Sequence, residues 1–219
     1  GYNPVWQINF ASAFLLTQML MPKLLAHTPS RVVMVSSVMH RMGSLDFRGN
    51  AKQFCKTDGS YSRSKLAQVL FAYEGQRRFS RAGVTFIAVS PGAVSSDIWR
   101  NAPGGLKIVL HCLRRLVFLN CQQGASTSVH AASFDLASTS SALVDNLLYF
   151  IPYYQLSWCP FLSSVWTPFA GARPAKSSVE SYDPIIAQDL WQWCCKELCP
   201  AVAAAVSAAA AAILVAFVA

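Results

Sequence analysis

Charged side chains are scarce in this sequence: they make up 13% of its 219 residues, against 53% hydrophobic ones. That balance excludes a disordered chain and leaves more apolar surface than an ordinary soluble enzyme carries, so some part must touch lipid, a partner or a greasy ligand. Acidic residues are the scarcer sign, 10 against 18 basic ones, for a net charge of +8. The excess is dispersed, with small clusters at Arg77, Arg78 and Arg81 and at Arg114 and Arg115 that could face phosphates or anionic lipid. No aromatic-interleaved basic stripe and no nucleic-acid motif accompanies them, which argues against nucleic acid as a partner. Paired cysteine spacing is missing too. The 7 cysteines include no Cys-x-x-Cys, which excludes a zinc ribbon or dithiol redox site and points to reduced thiols in a cytosol-facing protein. His27, His40, His111 and His130 lack metal-ligand spacing, so no metal site is expected. The given sequence does not begin with Met. The chain opens at Gly1 directly on a helix signal, with Asn3 as cap and Pro4 at the first helical position, and is expected to be a fragment.

What is present is organised around Tyr61-Ser62-Arg63-Ser64-Lys65. On a helix, Tyr61 and Lys65 lie one turn apart on one face, where a cation stabilises a phenolate and makes a phenol with a usual pKa of about 10 useful near neutrality. Upstream, Pro4 to about Leu25 has apolar residues at helical spacing, with Asn9 a polar exception, and reads as a helix buried over much of its surface. Pro29-Ser30 breaks it, and Arg31 to Val35 reads as a strand covered on both faces, ending in Ser36-Ser37. The Tyr61 helix runs toward Arg81 and Gly83 ends it; Val84 to Val89 is a second buried strand, stopping at Ser90-Pro91-Gly92. Helix, strand, helix, strand with short connections predicts parallel strands joined by right-handed crossovers. The fold class is therefore α/β, a Rossmann-like doubly wound parallel sheet with flanking helices, present in part. Ligands of such sheets sit at the carboxyl ends of the strands, which is where these serines and this glycine fall.

Asn9 in a long helix, Ser37 past a strand, Tyr61 and Lys65 on the next helix and Pro91-Gly92 after the next strand form an ordered set. Here the sequence resembles the short-chain dehydrogenase/reductase superfamily, and within it the retinol-dehydrogenase and WW-domain-oxidoreductase type. Gln7-Ile8-Asn9-Phe10, Ser30 to Ser37, Tyr61 to Ala67 and Pro91-Gly92-Ala93-Val94 carry the resemblance, which is strong as far as Ile98 and loose on to Leu198. It implies that Tyr61 donates a proton to a carbonyl or takes one from an alcohol while hydride passes to or from a nicotinamide. Lys65 would assist the phenol and bind the nicotinamide ribose, Ser37 would hydrogen-bond the substrate oxygen, and Asn9 would hold a relay water behind the lysine. Pro91, Gly92, Val94 and Ser96 would line the nicotinamide of NAD or NADP.

Measured against that family, the glycine-rich phosphate turn, the residue that reads the adenosine ribose and the Asn-Asn-Ala-Gly strand are missing, and Pro103-Gly104-Gly105 does not replace them. The expectation is an N-terminally truncated chain with an exposed sheet edge, inactive alone, from an oxidoreductase parent. Residues 1–140 would carry the catalytic part, 141–199 a substrate lid and last helix, and 200–219 a hydrophobic tail. The aromatic segment with Trp158, Phe161 and Trp166 suits a lipophilic substrate of retinoid, steroid or fatty-aldehyde type. Ala201 to Ala219, uncharged, is long enough to anchor in a membrane, with Cys194, Cys195 and Cys199 beside it as acylation candidates or, more simply, buried thiols. A cytosol-facing membrane location, as on the endoplasmic reticulum, follows, with a cytoplasmic one as the alternative, and an oligomer is compatible. The competing reading is a catalytically dead, membrane-attached interaction protein.

Overall fold

A computed structural model of the chain describes residues 2–45, 60–95, 118–135, 148–152 and 172–199. Ser96, Pro103-Gly104-Gly105, the Leu106 segment, Trp158, Phe161, Trp166 and the tail of 200–219 lie outside the described residues.

Helix α1 spans Pro4–Ala26. Its start obeys the sequence signal: the Asn3 side chain accepts from Val5 N–H at 2.9 Å, and Pro4 occupies the first turn, where a missing N–H costs nothing. Around Asn9 the helix widens, Gln7–Ala11 forming a π turn in which Ser12 N–H reaches back to the Gln7 carbonyl. One face buries Trp6, Phe10, Phe14 and Met21, at helical spacing. The opposite face is apolar but open, with Ile8 72%, Leu16 58% and Met19 64% exposed, so the helix is one-sided rather than buried over much of its surface.

Strand β1, Ser30–Val35, leads through Ser36 into a 3-10 turn at Val38–Met42. Helix α2 covers Ser60–Phe79 and closes through a 3-10 turn at Ser80–Ala82 onto Gly83, whose φ of 81° is the left-handed conformation glycine adopts without strain. Strand β2, Val84–Val89, is buried at every position. Helix α3, Cys121–Ser133, begins with a capping box in which Asn120 and Gln123 satisfy each other's backbone N–H groups. Strand β3 is Tyr149–Pro152, β4 is Ala172–Pro174, and after a 3-10 turn at Val179–Tyr182 helix α4 runs Pro184–Leu198 from an Asp183 cap.

The sheet order is β1-β2-β3-β4. The first three strands are parallel, with Ser30 to Val35 paired against Val84 to Val89 and Ala88 and Val89 against Tyr149 and Phe150; β4 runs antiparallel to β3. The doubly wound expectation holds for the parallel part. Two details differ. Strand β1 is an edge among the described residues, with Val35 43% exposed, and is not covered on both faces. Tyr149, Phe150 and Pro152, read from sequence as part of an aromatic lid, are a buried strand of the sheet, because consecutive apolar residues beside a fully buried β2 are better used as core.

An aromatic cluster ties the helices to the sheet. Phe71 of α2 stacks on Trp191 of α4 at 5.1 Å, Phe14 of α1 meets both rings, and Phe86 of β2 packs against Phe71 and Phe79. Such contacts set the level of α1 against α2, and with it the position of Asn9 relative to Lys65.

Candidate active site

Three parallel strands end on one side of the sheet, and their last residues feed the site: Ser36 and Ser37 after β1, Ser90 to Gly92 after β2, Pro152 at the end of β3. Ser36 locks the first of these ends. Its N–H donates to Val89 O at 2.7 Å and its hydroxyl to the Lys65 carbonyl at 2.7 Å, pinning β1 to β2 and to the turn of α2 that carries the lysine. Ser37 caps the 3-10 turn: its Oγ accepts Met39 N–H at 3.2 Å, so its own hydrogen stays available to donate toward a ligand oxygen.

The Ser37 carbonyl is held by His40, through the backbone N–H at 3.0 Å and through Nδ1–H at 2.6 Å, while His40 Nε2 accepts Ser178 N–H at 3.0 Å. These partners fix the neutral tautomer with its proton on Nδ1. Burial pushes the imidazole well below its usual range, to about 4, with the Ser37 carbonyl opposing and Arg41 adding to the shift. Tyr149, buried beside His40, is hydrogen-bonded to Ser90 and pushed up to about 12 by burial. Ser177 joins Tyr73 and Ser181 by hydroxyl contacts at 2.7 and 2.5 Å, so the segment before α4 is stitched to the turn bearing Ser37 and to α2.

Tyr61 and Lys65 lie on the first turns of α2, both half-buried. The Gly43 Cα sits so close to α2 that an added Cβ would come within 2.6 Å of the Ser62 carbonyl oxygen, which brings the turn led by Ser37 against the turn carrying Tyr61. Lys65 Nζ lies 5.6 Å from the Tyr61 ring centroid. It donates to Val35 O at 2.9 Å and to Gln68 Oε1 at 3.1 Å. Burial lowers its pKa from 10.5 to about 8. Asn9 reaches the same helix: its side-chain amide donates to Ser64 Oγ at 3.1 Å, Ser64 donates onward to the Tyr61 carbonyl, and the Asn9 carbonyl accepts Gln68 Nε2 at 2.6 Å.

Pro91, Gly92 and Val94 follow β2 on the same side of the sheet. Gly92 has φ 80°, and a Cβ there would sit 3.1 Å from Pro152 and 3.2 Å from Leu119, so the bend after β2 needs glycine. Val94 forms a parallel bridge with Leu119, just before the Asn120 cap of α3. The structure thus brings Asn9, Ser37, Tyr61, Lys65 and the Pro91 to Val94 turn to one end of the sheet. Sequence reasoning noted Ser36 only by its place at the strand end and passed over His40, Ser64 and Gln68 as parts of the site. Ser64 and Gln68 stand three residues from Tyr61 and Lys65 on one helix, a spacing that could have flagged them; His40 had no local signal.

A parallel sheet flanked by helices, with a tyrosine, a lysine and a serine gathered at its carboxyl edge, is a Rossmann-like α/β fold. Residues 2–105 match the short chain dehydrogenase family. Over that segment the chain is similar to the short-chain dehydrogenase family. It is 39% identical over 135 residues to bovine dehydrogenase/reductase SDR family member 13, covering 60% of this chain and 36% of that protein. With mouse retinol dehydrogenase 12 it shares 38% over 134 residues, 60% of this chain and 42% of the relative, and with human retinol dehydrogenase 11 it shares 37% over 133 residues, 60% and 41%. The chain thus spans about two fifths of the length of these relatives. In fold it is similar to the crystal structure of an uncharacterised protein from Mycobacterium paratuberculosis, with a TM-score of 0.58 and 24% identity over 90% of this chain and 59% of that one.

Proposed function

We propose that this chain carries the catalytic half of an NAD(P)-dependent oxidoreductase that interconverts an alcohol and a carbonyl on a lipophilic substrate. The observation that carries the proposal is the joint placement of Ser37, Tyr61 and Lys65 on packed elements at the carboxyl ends of β1 and β2. Ser37, its oxygen already accepting from Met39, donates its hydrogen to the substrate oxygen and orients it. Tyr61 is the acid toward a carbonyl and the base toward an alcohol. Lys65 holds a positive charge beside the phenol, and its donor that neither Val35 nor Gln68 takes serves a ribose hydroxyl. The nicotinamide, when bound, supplies or accepts the hydride. Pro91, Gly92 and Val94, which follow β2 at the carboxyl end of the sheet, would hold its redox end. Ser96 joins this set by sequence resemblance alone.

Support for a lipophilic substrate comes from relatives named retinol dehydrogenases and from the sequence at Trp158, Phe161 and Trp166; retinoid, steroid and fatty aldehyde all suit that chemistry. Membrane association rests on the uncharged tail of 201–219, and the cytosol-facing side on the unpaired spacing of the cysteines. Carbonate-washed membranes should retain the chain with that tail and release it without.

Tyr61→Phe in the complete protein tests the chemistry. Turnover of an apolar aldehyde should fall by several orders of magnitude while NAD(P)H affinity stays within about twofold. Undiminished turnover would remove Tyr61 as the acid and pass that role to another residue, whereas no turnover by the unaltered complete protein would leave the inert interaction protein as the better reading.

A further inference from the structure

We infer that Gln68 is the positioning residue of the site, a carboxamide strut that ties the Lys65 ammonium to the Asn9 backbone at the π turn of α1. The inference deepens the function proposed above and rests on Lys65 being the cation of that site.

Gln68 is buried, 6% exposed, and both ends of its amide are engaged: Oε1 accepts from Lys65 Nζ at 3.1 Å, and Nε2 donates to the Asn9 carbonyl at 2.6 Å. The amide orientation is unambiguous. An ammonium only donates and a carbonyl only accepts, so oxygen must face Lys65 and nitrogen must face Asn9. A half-buried ammonium with three donors would otherwise turn toward whichever carbonyl was nearest. Here Val35 O, at the end of β1, takes one donor and Gln68 takes a second. Tetrahedral geometry then leaves one direction for the third, and no described residue takes it.

The strut also explains the widened turn in α1. Asn9 is engaged on both sides by α2, through Ser64 to its side chain and through Gln68 to its backbone, over a sequence separation of 55 to 59 residues. The helix distorts where those two bonds are made, at Gln7–Ala11. A side chain of the protein, Gln68, links the Asn9 backbone to Lys65. A carboxamide does not titrate near neutral pH, so it holds the lysine without itself taking up or releasing a proton.

Lys65 is the group whose titration reads the strut. Among the described residues the titratable group facing it is Tyr61, on its own helix; Val35 presents a backbone carbonyl, and the approach from α1 presents the uncharged Asn9. Burial already lowers its pKa to about 8, within easy reach of measurement.

The experiment uses the 219-residue chain without cofactor, titrating side-chain resonances by NMR between pH 6 and 11 with carbon-13 and nitrogen-15 labels in lysine and glutamine. In the unaltered chain the Gln68 carboxamide resonances should move with the same midpoint as Lys65 Nζ. A flat Gln68 signal across that titration overturns the proposal and needs no variant. Gln68→Met, of similar volume but without an acceptor, should lower the Lys65 midpoint by about half a unit or more, and Gln68→Glu should raise it by about one unit. Gln76→Met is the control. That side chain is also buried, but its oxygen accepts Phe86 N–H at 2.8 Å, so its loss should weaken the fold and leave the Lys65 midpoint in place. Equal shifts in Gln68→Met and Gln76→Met, or none in either Gln68 variant, would reduce Gln68 to an ordinary core amide. The redox proposal fails on turnover in the complete protein, a different measurement, so the two failures cannot be confused.

Discussion

His40 shows how a buried residue with no direct part in chemistry can set the posture of one that has. Its ring bridges the Ser37 carbonyl and the Ser178 N–H, and both bonds require a neutral imidazole. An unfolded histidine binds its proton at about pH 6.5, whereas His40 does so only near 4. Between those values the unfolded chain holds the extra proton, so stability is lost as the pH falls from about 6.5 through about 4. His40→Gln removes the titration and keeps a donor and an acceptor. Its melting temperature should lie below that of the unaltered chain at pH 7 and decline less steeply into acid. Parallel acid slopes, read by calorimetry at several pH values, would mean that His40 is not held neutral by the fold. His40 had no signal in the sequence, and Gln68 had only its spacing from Lys65. The partner of His40 stands 138 positions away, and the far partner of Gln68 stands 59 away, so only the fold brings them into view. Tyr61 and Lys65 were legible because both stand on one helix, where four residues make a turn.

Among the elements, the helices were readable for the same reason and the late strands were not. Caps announced α1 and α4: Asn3 before Pro4, Asp183 before Pro184. Strand β3 has only four residues and β4 three, too short for periodicity, and β3 sits in an aromatic, proline-bearing stretch that resembles a lid. Close helix packing supplies a test of which elements serve the site. A Cβ on Gly75 of α2 would come within 2.4 Å of the Phe86 ring, wedged in the aromatic core, while one on Gly124 of α3 would come within 2.4 Å of a Val94 methyl. Phe86 cannot retreat, because Phe71 and Phe79 hold it from two sides. Gly75→Ala should therefore cost on the order of 1–3 kcal/mol in urea unfolding, the overpacking outweighing the gain in helix propensity. Val94 is half-buried on an isolated bridge and can shift, so Gly124→Ala should cost less. If Val94 lines the nicotinamide, that shift should weaken NAD(P)H binding by the complete protein severalfold. Unchanged affinity would take Val94 out of the site.

For the molecule as a whole, the question is what α1 is for, since its 23 residues are long and apolar enough to cross a membrane. Its contacts answer that it is a helix of the fold. Phe10 and Phe14 meet Phe71, Phe14 meets Trp191, and Asn9 is bonded to Ser64 and Gln68; a bilayer around α1 would dissolve all of these. Its open face carries Ile8, Leu16 and Met19, so two substitutions of opposite character separate the roles of the two sides. Leu16→Lys with Met19→Lys places charges where the side chains already face outward. Thermal unfolding should move little, by about 0.5 kcal/mol or less, while the concentration at which light scattering sets in should rise. Trp191→Ala opens a hole between Phe14, Phe71 and Phe79 and frees Arg78 from the ring it covers at 4.9 Å. Removing a buried aromatic costs about 3–5 kcal/mol, against a total stability of about 5–15 kcal/mol for a typical domain, so that variant should melt far earlier or not fold cooperatively at all. A large loss from the lysine pair and a small one from Trp191→Ala would reverse the sides of the helix, and α1 would have to be reassigned to the membrane.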